Sequence, residues 1–499
     1  MNEENAQVDE LGAADSGAVP FLAVDGGLHG TPHTLLHRRL GVGSIVFMVV
    51  AAAAPLTVAA AITPVVFAAS GNVGAPVYFL IAAGILTLFA VGFTSMSKYV
   101  KNAGAFYSYV KAGLGRIAGV GAAILALVSY FIMLVAVYAL VGMLVGNVVA
   151  TYTGAAPPWW LWSIFGWLIV GFLGYRDIEL SAKVLAIALI LEALVVIVLD
   201  VAIIVQGGEA GLNLSPFAPS EFLSGAVGLG VMFALLGFIG FEATAVFRNE
   251  ARDPDRTIPK ATYIAVIGIG LFYAFAAWAA AMGTGVDNAV EVASTDPDNM
   301  VLGLAKTFVA PVFFDIMQIL VATSIFACAL SFHNVVTRYQ FTLANFRVLP
   351  RMLGAVSEKH RAPSTSSIVL SLLTGVSIAI VITTGLDPYT AIYTWLSGAA
   401  TLGIIALMAL TSLAVIVFFR RHSFDKRLWH TMIAPVGALL GLGTVLVLVL
   451  SNFPLLVGGV VESAVIVSVL VAAFVGGVFI ALHMRARRPD DYLALSEFE

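Results

Sequence analysis

The sequence predicts an all-α integral membrane protein of twelve transmembrane helices, in two inverted sets of five with a further pair appended. Three observations lead there. Hydrophobic residues make up 60% of the 499, charged residues only 11%, and the mean hydropathy is +0.99, far from the balance of a soluble domain. Apolar runs of about 18 residues or more recur along the chain, each long enough to span a hydrocarbon core roughly 30 Å thick. Two of these runs, five apart in order, are interrupted near the middle: the first by Pro55, the sixth by Gly237 and Gly240.

Residues 1–37 contain six acids and many small residues, with no basic stretch before an apolar core, so they read as a disordered cytoplasmic tail rather than a cleaved signal. The membrane domain is expected over 38–484. Its first set of spans lies within 42–205 (42–69, 74–95, 117–148, 157–174 and 180–205), and its second within 223–419 (223–247, 260–283, 313–341, 365–384 and 388–419). Spans eleven and twelve fall within 433–483, and 485–499 form a second cytoplasmic tail. An odd number of spans per set inverts the second set relative to the first. Ser97 to Gly115, rich in Gly, Tyr and Lys, predicts a short surface helix, and 285–312 is the longest connection on the opposite face, a lid or a passive linker.

With twelve crossings both termini share a side. Of the 25 Lys and Arg only Lys306 falls in a connection of the far face, which makes the basic face cytoplasmic; with no organelle-targeting signal visible, a cytoplasmic (inner) membrane is the expected location. Lys98, Lys101, Lys111 and Arg116, and separately Arg420, Arg421, Lys426 and Arg427, fix that orientation. The net charge of −4 is sorted by face and gives nucleic-acid binding no support. Cys328 is the only cysteine, which excludes an intramolecular disulfide and a cysteine-based metal cluster.

Lipid offers no hydrogen-bond partner, so a broken helix is tolerated only where protein or a water-filled cavity receives the freed backbone groups. Pro55 lies about 20 Å along its span and Gly237 about 21 Å along its own, both near mid-bilayer. Corresponding breaks in two halves are expected where a carrier binds its solute. The candidate binding residues are therefore Ala54, Pro55, Leu56 and Thr57 at one break, with Gly237, Phe238, Ile239, Gly240 and Glu242 at the other. Pro55 removes a donor and clashes with the preceding turn, and the two glycines permit close approach.

Glu192 lies about 18 Å into span five, where an ionised carboxylate costs about 2.5–3.5 kcal/mol or more. It must face the bundle interior, and desolvation favours its neutral form, the property of a proton carrier; a permanently protonated, hydrogen-bonded Glu is the structural alternative. Glu242 opens the half-helix after the second break, where the positive helix end favours its anion. It could attract a substrate ammonium, hold a proton or cap its own helix. Lone His333 reads as a hydrogen-bonded core histidine. No nucleophile elbow, phosphate loop or paired-histidine helix is visible, so an enzyme has little support and no cofactor is implied.

Three local patterns resemble the amino acid–polyamine–organocation (APC) transporter superfamily. They are Asn102-Ala103-Gly104-Ala105-Phe106-Tyr107-Ser108-Tyr109-Val110, Gly237-Phe238-Ile239-Gly240-Phe241-Glu242-Ala243 with Asn249 to Pro254 and Ile258-Pro259-Lys260, and Thr337-Arg338-Tyr339 with Val348-Leu349-Pro350. The resemblance implies a leucine-transporter-type 5+5 inverted repeat with broken helices one and six. It also implies secondary active transport of an amino acid or small amine by alternating access, with a proton, or alternatively sodium, as coupling ion. Pro55 to Thr57 and Phe238 to Gly240 match the substrate-contacting breaks, and Glu242 matches an acid found in several members. Two departures stand out. Thr57-Val58-Ala59 replaces the Gly-Ser-Gly turn that holds a substrate carboxylate in many carriers, and Glu192 stands where some members have a lysine. An uncoupled obligate exchanger, or a membrane sensor that binds without transporting, is the alternative function.

Overall fold

A computed structural model describes residues 41–100, 106–176, 182–242, 244, 251–355, 363–422 and 424–495. The tail 1–37, Asn102 to Ala105, Asn249-Glu250 and most of the half-helix expected after Glu242 lie outside them.

The described chain is helical throughout its long elements. In order these are α1 (Val42–Ala52), α2 (Pro55–Ser70), α3 (Ala75–Met96), α4 (Phe106–Leu114), α5 (Arg116–Thr153), α6 (Trp159–Tyr175) and α7 (Ala182–Gln206). After α8 (Val227–Leu236) come α9 (Pro254–Thr284), α10 (Ala289–Thr295), α11 (Pro297–Phe308) and α12 (Pro311–Asn345). The chain finishes with α13 (Ser364–Thr383), α14 (Pro388–Arg421), α15 (Trp429–Val457), α16 (Val460–Arg487) and α17 (Pro489–Ala494). Among the described residues, nine helices are long and apolar enough to cross a bilayer, and α2, α6 and α8 are shorter apolar helices at the places of expected spans one, four and six.

Proline sets many of the starts. Pro55, Pro254, Pro297, Pro311 and Pro388 each occupy the first helical turn, where the missing N–H has no helical partner to lose. This displaces expected edges: α9 begins at Pro254 rather than 260, with Pro259 carried inside the helix.

Large apolar side chains on the rims of α13, α15 and α16 point outward, among them Leu372, Val447, Val460 and Phe479, as helices facing hydrocarbon require. Inward, helices approach by means of small residues. A Cβ on Gly477 would lie 2.8 Å from Gly121 Cα, and one on Gly270 would lie 2.4 Å from Ala83 Cβ, so α16 meets α5 and α9 meets α3 at backbone-limited distance.

The helix expected after span two is α4, and its Phe106, Tyr107, Tyr109 and Val110 are buried. Tyr109 stacks on Phe93 at 4.5 Å between centroids, so α4 is docked against the bundle along one side. Residues 285–312 fold into α10 and α11, whose Ala293, Val301, Leu304 and Ala305 are buried against neighbouring helices. Residues 485–495, expected as part of a tail, also lie on the bundle: Asp491 pairs with Arg347, and Lys111 Nζ donates to the Leu495 carbonyl at 3.0 Å.

Candidate functional site

Span one stops being a helix at Ala53 and Ala54, one residue before the proline. Ala54 has φ 45° and ψ 68°, a left-handed conformation that costs an L-residue energy and persists only where surroundings enforce it. Pro55 then starts a new helix, and a wide π-turn over Val58–Ile62 loosens the next stretch. Two irregularities within one span leave several backbone groups without their usual helical partners.

Distant side chains take up those groups. The Leu56 N–H donates to Glu192 Oε2 on α7 at 3.4 Å. Tyr273 of α9 donates its hydroxyl to the Ala53 carbonyl at 3.1 Å, and Tyr389 of α14 donates to the Ala61 carbonyl at 2.5 Å. Thr57 Oγ1 donates to Ser324 Oγ of α12 at 2.9 Å, in the neighbourhood of Glu192. Glu192 is 6% exposed. A carboxylate, two hydroxyls and a peptide N–H therefore meet beside a backbone break, closed off from solvent.

The second break is built differently. Helix α8 ends at Gly237, and the chain tightens through i→i−3 bonds from Gly237, Phe238 and Ile239 to Ala234, Leu235 and Leu236, all at 3.1 Å. Gly240 has φ 110°, a value that a side chain would strain. Glu242, half-buried, folds back so that Oε2 accepts from the Gly240 N–H at 2.9 Å, while Oε1 accepts from the Tyr130 hydroxyl of α5 at 3.0 Å. Phe238 is fully buried and meets Tyr273 edge to face, 5.8 Å between centroids.

The two breaks touch. A Cβ placed on Gly237 would stand 2.9 Å from Val58 Cγ1, so the absence of a side chain lets the end of α8 rest on the first turn of α2. Tyr273 joins them further, bonded to Ala53 and packed on Phe238. Ala54, Pro55, Leu56, Thr57 and Glu192 thus form one cluster, with Gly237 and Phe238 against it. Glu242 is hydrogen-bonded to Tyr130 of α5 and to Gly240 of its own turn.

Sequence reasoning passed over three tyrosines, Tyr130, Tyr273 and Tyr389, which carry the hydrogen bonds just described. It also passed over Asp200, 3% exposed on the same helix as Glu192; an acid deep in an apolar run was the signal that could have found it. His333 is fully buried, with Nε2 2.9 Å from Ser367 Oγ.

Comparison with known proteins adds to this geometry. The family model for amino acid permease matches residues 40–475. Over 198 residues the chain is 28% identical to the branched-chain amino acid permease BcaP of Bacillus subtilis (strain 168), an alignment that covers 39% of this chain and 40% of that protein.

Proposed function

The chain belongs to the amino acid permease family, as a multi-pass membrane protein, and from that premise we propose that it is a secondary transporter of an amino acid, coupled to protons. The family points to a transporter rather than an enzyme. The basic ends of the helices face the cytoplasm, the acidic connection 285–312 faces outward, and rocking of one helix set against the other exposes the site to each side in turn.

The single observation that carries the coupling is the bond from the Leu56 N–H to Glu192. A substrate carboxylate needs peptide N–H groups at a helix break, and Glu192 competes for one of them. An ionised Glu192 is a strong acceptor and two anions at one break repel; a neutral Glu192 is a weaker acceptor and adds no charge. Proton uptake by Glu192 therefore releases the Leu56 amide and favours an incoming carboxylate. Proton and substrate enter together without touching one another.

Phe238, Ile239, Leu56 and the alanines of α2 supply apolar walls, which suit an aliphatic side chain. The branched-chain specificity in the relative's name agrees with that reading, so leucine, isoleucine and valine are the first substrates to test, beside small amines. Glu242 is assigned to holding the second break in shape through Gly240 and Tyr130, as a positioning residue.

The test is uptake of labelled leucine into proteoliposomes with an inward proton gradient. Glu192→Gln is expected to cut gradient-driven accumulation at least about tenfold, because the amide cannot cycle a proton. Normal accumulation and normal pH dependence in that variant would remove Glu192 from the mechanism. Flux seen only with internal substrate in the unaltered protein would establish exchange instead.

A further inference from the structure

Glu192 is not the only acid buried on α7. Asp200 lies eight residues further on, about 12 Å nearer the outer face, and it is 3% exposed with no hydrogen-bond partner for its Oδ2. It lines a small cavity with Ala59 of α2, Ala280 of α9, Val301 and Leu304 of α11, and Met317 of α12. None of these side chains offers a donor or a positive charge. We propose that Asp200 is a proton-binding group on the outer side of the transport site, and that its neutralisation is what allows α11 to close over it; this rests on the proton-coupled reading above.

The walls decide which ligand fits. A hard metal cation takes about six oxygen ligands, and the walls provide only the Asp200 carboxylate and a soft thioether. A proton needs one oxygen. An ionised carboxylate shut among aliphatic groups has no counter-charge to offset its lost hydration, whereas the neutral acid is tolerated. The closed arrangement around Val301 and Leu304 therefore selects protonated Asp200.

Other titratable groups on the packed elements lie off the cavity. Tyr273 of α9 is engaged with the Ala53 carbonyl. On α11, Asp298 accepts from Asn147 at 2.9 Å, and Lys306 sits over the Phe314 ring at 3.7 Å. Asp315 is near the start of α12, and Glu192 is held at the break. When α11 lifts, water reaches Asp200 and the carboxyl exchanges its proton with the outside; when α11 returns, the bound proton is enclosed with it. One O–H bond forms or breaks at Asp200 and water takes the other half of the exchange.

The experiment compares Asp200→Asn, Asp200→Glu and Glu192→Gln with the unaltered protein in proteoliposomes, at fixed internal and varied external pH, with labelled leucine as probe. In Asp200→Asn, entry is expected to lose its dependence on external pH and accumulation to fall about tenfold, with Asp200→Glu restoring both in part. Full external-pH dependence and full accumulation in Asp200→Asn would overturn the proposal. A second readout requires no transport: infrared difference spectra of the purified protein, titrated with acid and base, should contain a protonated-carboxyl band that Asp200→Asn removes and Glu192→Gln retains. If the unaltered protein exchanges leucine without accumulating it, or moves none, the coupling reading fails on its own. The infrared band then decides Asp200: its loss in Asp200→Asn supports proton binding there, and its persistence refutes it.

Discussion

The first interrupted span is repaired from a distance and the sixth is repaired locally. At Ala53 to Ala61 the displaced backbone groups are met by Glu192, Tyr273 and Tyr389, which come from three other helices. At Gly237 to Glu242 they are met by residues two or three positions away, with Tyr130 as the outside brace. A break tied to several helices changes its bonds when those helices move, so it suits a site that must differ between states. One that closes on itself can travel as a unit. Under the proposed function, the first break is the one that exchanges ligand and proton, and the second is the surface against which it works.

The strongest way to break this comparison is to force the two apart. In Gly237→Val the new Cβ must displace Val58, since it would stand 2.9 Å from Val58 Cγ1 with Phe79 also at 3.5 Å. Overpacking of this kind costs about 1–3 kcal/mol, and the initial rate of leucine uptake, per amount of reconstituted protein, should fall about ten- to a hundredfold. Adding Val58→Ala should recover part of the loss. Uptake at the unaltered rate in Gly237→Val would mean that the breaks do not operate in contact.

How far the sequence shows these features depends on the range of the interaction. The interruption of spans one and six is visible because Pro and Gly act on their own backbone. Its register is less so: Pro55 opens a helix, and the left-handed residue is Ala54, an alanine with no local signature. Glu192 is visible because a charge in a long apolar run is costly wherever it points, and Asp200 is visible by the same rule. Tyr273 is 220 positions from Ala53, and Tyr389 is 328 positions from Ala61. Nothing in a single sequence ties such pairs, because their bond is made by helix packing. The fold of 285–312 into α10 and α11 was likewise hidden, as short helices that bury Ala293 and Val301 read as an acidic loop.

Smaller in effect, Tyr273→Phe sharpens the claim that the first break depends on outside partners. It leaves the buried Ala53 carbonyl without its 3.1 Å bond while keeping the ring between Phe79 and Phe238. An unsatisfied buried acceptor costs about 1–3 kcal/mol, which in detergent should lower the thermal unfolding midpoint by about 2–6 °C. The same change at Tyr389 should act alike through Ala61. If neither variant shifts the midpoint, these carbonyls are served in some other way and the contrast between the breaks weakens.

The smallest effect is expected at Glu242, and it separates the breaks most directly. Glu242→Gln keeps the shape of the side chain and one carbonyl oxygen for the Gly240 N–H, but its carboxamide N–H must then donate to the Tyr130 oxygen, so that bond reverses and both lose their charged acceptor. A local brace whose two bonds lose their charged acceptor should raise the KM for leucine by about two- to fivefold, equivalent to roughly 0.5–1 kcal/mol. The dependence of uptake on external pH should stay as it was, since a positioning residue moves no proton. Collapse of the pH dependence would instead make Glu242 a second proton carrier. The second break would then be a site of ion exchange, and the division of labour between the two would be wrong.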